Sequence, residues 1–60
     1  MKTKNTASQI DYEHVELILK EANAYGLYWE VDNSAKKIIN LYPDINIVEA
    51  YQNAYSEWVK

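Results

Sequence analysis

Leu27-Tyr28-Trp29-Glu30-Val31-Asp32-Asn33-Ser34-Ala35-Lys36-Lys37-Ile38-Ile39-Asn40-Leu41 decides the fold, because it admits two readings. Carried on to the next residue, Leu27, Val31, Ala35, Ile38 and Tyr42 recur at steps of four, four, three and four, which is the spacing of one helix face. The competing reading makes 27–31 extended, with Asp32 or Asn33 capping a shorter helix through Leu41. A lone strand would have no partner, since no other run in the chain alternates with period two. The seam therefore favours one helix from about Leu27 to Leu41.

Outward from this stretch, the chain divides at two places, around Gly26 and around Pro43-Asp44. Before Gly26, from about Gln9 to Tyr25, Val15, Ile18, Leu19 and Ala22 share one helix face, flanked by Tyr12 and Tyr25. Ser8 and Asp11 have capping-box spacing at its start, and Glu16 and Lys20 stand four apart in the favourable order on the polar side. Gly26 sits where a helix takes a left-handed residue to end. After the Pro43-Asp44 turn, Asn46-Ile47-Val48-Glu49 reads as a capping box. Ile47, Tyr51, Ala54, Tyr55 and Trp58 then fall on one stripe, with Gln52, Asn53, Ser56 and Glu57 opposite. The fold class expected is all-α: a small three-helix bundle with helices near 9–25, 27–41 and 47–59, preceded by a polar, flexible tail over 1–8.

Sixty residues hold one core. A chain this short buries only ~60% of the surface its unfolded form exposes, so its stability is marginal. Cysteine is absent and His14 is the single imidazole, so neither a disulfide nor a zinc site compensates. The apolar runs are far shorter than the ~20 residues that span a bilayer. No signal sequence is visible, since Lys2 and Lys4 lead into Asn5, Thr6, Ser8 and Gln9. The expectation is a soluble protein of the bacterial cytoplasm, without a membrane role.

Charge narrows the partners. Nine acidic residues against six lysines leave a net charge of −3, and there is no arginine. Nucleic-acid binders need a cationic footprint, in which arginine makes the best contacts to phosphate and guanine. The acidic residues are too few and too interspersed for a DNA mimic. Lys36-Lys37 is the one basic doublet; with three helices of a size that suits the architecture, its two lysines support the alternative of a helix-turn-helix-like transcriptional regulator binding DNA.

Nor does the chain carry the residues of an enzyme. Glu13, Glu16, Glu21, Glu30, Asp32, Glu49 and Glu57 fall mostly on the polar faces, where solvation and not acid–base chemistry explains them. Gly26 is the only glycine, so no phosphate-cradling loop or nucleophile elbow can form. No cofactor is expected.

The aromatic load is less ordinary: six tyrosines and two tryptophans, with no phenylalanine. Tyr42, Tyr51, Tyr55 and Trp58 are expected to pack in the core. Trp29 points away from the seam, toward the side of Lys36 and Asn40, and Leu17 points away from its own helix's apolar face, near Ala24. Trp29, with Tyr28 and Leu17, is therefore expected to form a partner-binding or self-association surface, since tryptophan is prominent among interface anchors. The competing reading is that the helix starts late and Trp29 folds over a bundle end into the core.

Two stretches carry a resemblance: Glu21-Ala22-Asn23-Ala24-Tyr25-Gly26-Leu27-Tyr28-Trp29-Glu30-Val31, and Val48-Glu49-Ala50-Tyr51-Gln52-Asn53-Ala54-Tyr55-Ser56-Glu57-Trp58. With them, the chain resembles short open reading frames of phages and prophages in low-GC Gram-positive bacteria. Lys, Asn, Ile and Tyr, all with A/T-rich codons, make up 24 of the 60 residues, in keeping with such an origin. The resemblance implies a mobile-element context and assigns no role to any residue. The function expected is a non-catalytic protein–protein interaction module acting stoichiometrically on a host or phage protein.

Overall fold

The computed structural model describes residues 9–59. Three helices make up the fold: α1 (Gln9–Ala24), α2 (Tyr28–Leu41) and α3 (Ile47–Trp58). Each packs against the other two, α2 with α3 most extensively, so the molecule is a small three-helix bundle with no strand among the described residues. The expected tail over 1–8, and the Ser8 cap with it, lie outside the described residues.

The two turns follow from the residues that break the helical pattern. Gly26 has a φ of +74°, a left-handed conformation that costs glycine nothing. Its amide donates to the Asn23 carbonyl at 2.9 Å, and the Leu27 amide donates to the Ala22 carbonyl at 2.9 Å. That pair of bonds is the Schellman closure, which satisfies carbonyls the end of α1 would leave orphaned. At the second turn, Asn46 is extended and its Oδ1 accepts from the amides of Val48 at 2.9 Å and Glu49 at 3.3 Å. The side chain thus replaces the carbonyls missing from the first turn of α3.

The disputed stretch is helical. Leu27 is the residue before α2, and its carbonyl accepts from the Val31 amide at 3.0 Å, so the first turn closes where an extended 27–31 would have left it open. The core is built from Val15 and Ala22 of α1, Val31 and Ala35 of α2, and Tyr51 and Ala54 of α3. Ile18, Leu19, Leu27, Ile38, Ile39, Ile47, Val48 and Tyr55 pack around it, partly buried. Ala22, Ala35, Ala50 and Ala54 are all fully buried. Residues this small at the contact points leave room for the helix backbones to pack closely.

Two expectations about the core are corrected. Tyr42 is not a core residue but 63% exposed. The helix stops at Leu41, and Tyr42 has left helical geometry with φ −129° and ψ 77°, so extending the four-residue step past the last turn misplaces it. Trp58 packs only in part and stays 44% exposed, because it is the last residue of α3 and reaches over the bundle's rim.

Candidate functional site

The polar tips of the aromatic residues form a system of ties between helices. Tyr51 is buried, and its hydroxyl donates to Asp32 Oδ1 at 2.8 Å across the α2–α3 interface. Asp32 is itself only 7% exposed and holds Lys36 Nζ at 3.0 Å with its other oxygen, one turn further along α2. Trp58 donates its indole N–H to Ser34 Oγ at 2.7 Å, and Tyr55 donates its hydroxyl to Glu21 Oε1 at 3.0 Å on α1. A phenylalanine in any of these three places would fill space without making the tie.

Asp32 therefore corrects the expectation that this carboxylate lies on a solvated face. Burial, and after it the hydrogen bond to Asp32 and that carboxylate's charge, push the Tyr51 phenol well above its usual value near 10. Tyr55 is raised as well, first by its hydrogen bond to Glu21. A raised phenol gives up its proton less readily, so each hydroxyl stays in the neutral donor form that holds the helices together. The buried Asp32–Tyr51 bond ties α2 to α3.

The surface residues tell more about function. Trp29, in the first turn of α2, is 68% exposed, as its position off the seam implied. Its ring meets the neighbouring Tyr28 ring edge-on, with centroids 5.1 Å apart and planes at 77°. This T-shaped contact suits the ring quadrupoles and fixes the two side chains relative to each other. Tyr28 is half-buried and lines a shallow groove between α1 and α2 with Glu16, Leu19, Lys20 and Asn23.

Leu17 is also exposed, at 59%. It lines a different and larger groove, of about 640 Å³, formed between α1 and α3 by His14, Leu17, Ile18, Lys20, Glu21, Gln52, Tyr55 and Ser56. The three residues expected to form one partner surface are thus divided: Trp29 and Tyr28 stand together, and Leu17 faces the other side of α1. Gln52 and Ser56 entered the sequence reading only as the polar back of α3. Nothing in a single sequence shows which flank of that back will border α1.

His14 is exposed at the rim of the larger groove. Among the described residues, no three His, Asp or Glu side chains gather into a metal-binding group. No helix among them is long and apolar enough to cross a membrane. Comparisons of the chain with protein families, with curated proteins and with solved structures find no match.

Proposed function

We propose that this chain is a non-catalytic protein–protein interaction module of a phage or other mobile element, acting stoichiometrically on a host or phage protein in the bacterial cytoplasm. The observation that carries the reading is Trp29: a tryptophan 68% exposed on a regular helix and braced edge-on by Tyr28. Tryptophans that a partner desolvates dominate binding energies. A ring held in place before binding loses less entropy on association. The buried Asp32–Tyr51 pair supports the non-catalytic part, because its groups are engaged in holding α2 to α3.

For the regulator alternative, the basic doublet is weakened at Lys36. That ammonium lies 3.0 Å from Asp32, which leaves the doublet with one lysine outside this ion pair. Two phosphate contacts would have to share the Lys36 ammonium with Asp32, in a chain of net charge −3 without arginine.

The test is quantitative capture from a Gram-positive lysate by the full chain and by Trp29→Ala, each immobilised at equal density. A host or phage protein retained at a fixed molar ratio by the parent and lost by Trp29→Ala is the expected result. Equal retention by both chains would remove Trp29 from the contact. Duplex DNA held at nanomolar strength at physiological salt would put the regulator in its place.

A further inference from the structure

The outward face of α1 carries a second apolar feature, on a different helix from Trp29 and independent of the reading above. Ile10, Leu17 and Ala24 stand seven apart and are all exposed, Ile10 at 71% and Leu17 at 59%. Seven residues are nearly two helical turns, so these three side chains line one stripe ~21 Å long on the side of α1 away from the core. Glu13 and Lys20 flank the stripe on one side, and His14 and Glu21 flank it on the other. All four flanking residues are exposed.

This arrangement is self-complementary. A two-fold axis through Leu17, perpendicular to α1, sets a second α1 antiparallel across the seam. Leu17 then meets Leu17, and Ile10 meets Ala24 of the second copy. Under that operation each flank faces its own counterpart with the direction reversed. Glu13 lies four residues before the centre and Lys20 three after it, so Glu13 comes within ~1.5 Å of axial register with Lys20 of the second copy. His14 is likewise set opposite Glu21 of the second copy. Opposite signs, or an imidazole and a carboxylate, meet at all four flanking places, and no like charges oppose one another. A two-fold interface requires this relation, since the same patch must complement itself.

We propose that α1 pairs antiparallel with α1 of a second copy of this chain, forming a two-fold dimer centred on Leu17. The Leu17 contact and the stripe supply the apolar centre, while the Glu13–Lys20 pairs at the rim fix direction and register more than they add affinity. One face of a 16-residue helix is a small contact, so the dimer belongs with the weak, reversible class below the ~1,200 Å² of a standard interface. Glu21 can serve both partners, because Tyr55 occupies its Oε1 only.

The experiment is sedimentation equilibrium of the full chain across roughly two decades of concentration, reaching ~1 mM, where even complexes at the weak end are populated. A monomer–dimer equilibrium is expected. Leu17→Asp should weaken it at least ~10-fold by setting two carboxylates against each other at the centre. Because Leu17 is exposed, the melting curve of a dilute sample should show that variant still folded. Glu13→Lys alone should also weaken the dimer, by opposing two cations across the seam. The double variant Glu13→Lys/Lys20→Glu restores opposite signs and should recover association to within ~3-fold of the parent. Trp29→Ala should leave the equilibrium unchanged, so a failure here and a failure of the partner surface are read separately. A chain that stays monomeric throughout overturns the proposal. So does a double variant as weak as the single one, or association lost with Trp29→Ala but kept with Leu17→Asp.

Discussion

Replacing Tyr51 with phenylalanine removes one oxygen atom from the interior and isolates the consequence of the buried tie. The Tyr51 hydroxyl donates to Asp32 at 2.8 Å, and both residues are less than a tenth exposed, at 6% and 7%. Without that donor the carboxylate keeps Lys36, whose side chain is 65% exposed and tethers it only from the solvent side. A hydrogen bond to a charged group contributes ~1.5–3 kcal/mol, and the stranded acceptor adds to the loss. In a domain of this size each kcal/mol moves the melting temperature by ~4–8 °C. Tyr51→Phe should therefore melt at least ~6 °C below the parent, in circular-dichroism curves taken at the same concentration and neutral pH. Asp32→Asn is the companion, since its amide oxygen still accepts from Tyr51 while the ion pair to exposed Lys36 is lost. It should cost less than Tyr51→Phe. A Tyr51→Phe curve within ~2 °C of the parent would refute the claim that this bond holds α2 to α3.

Two further outcomes follow from the same contacts. Asn46→Ala strips the acceptor from the amides of Val48 and Glu49 and should lower stability by about 1 kcal/mol, measured by urea denaturation with an unchanged slope. At alkaline pH, the raised phenol of Tyr51 binds its proton more tightly folded than unfolded, so its contribution is fully present below the usual value near 10. Stability should fall as pH rises above that value, at up to ~1.4 kcal/mol per pH unit for this group, and Tyr51→Phe should flatten that fall in melting curves taken across the range.

Much of the fold was legible because it rests on local chemistry. Gly26 and Asn46 declared their turns by residue type alone, and both act through backbone groups within five positions. The seam of α2 was legible for the same reason, until Tyr42, where helical geometry ends and periodicity stops carrying information. Asp32 was not legible. Its partner Tyr51 lies 19 residues away, and only the packing of α2 against α3 brings them together. One signal did exist in the composition: tyrosine and tryptophan used in place of every phenylalanine imply acceptors for their polar tips. Ser34, Glu21 and Asp32 are those acceptors for three residues of α3. The candidate surface was legible one residue at a time, since Trp29 and Leu17 are both exposed as their wheel positions implied. Their separation onto two sides of α1 depends on how three helices assemble, which periodicity does not encode.

The most direct test of the central claim, that Trp29 is held at the surface for a partner and not for the fold, is the melting temperature of Trp29→Ala in the isolated chain. The side chain is 68% exposed and its ring contact is with its sequence neighbour Tyr28, so little interior packing is lost. A shift of no more than about 4 °C, corresponding to less than ~1 kcal/mol, is expected. A loss of the ~3–5 kcal/mol typical of removing a buried aromatic would make Trp29 part of the fold and contradict its assignment as a partner contact.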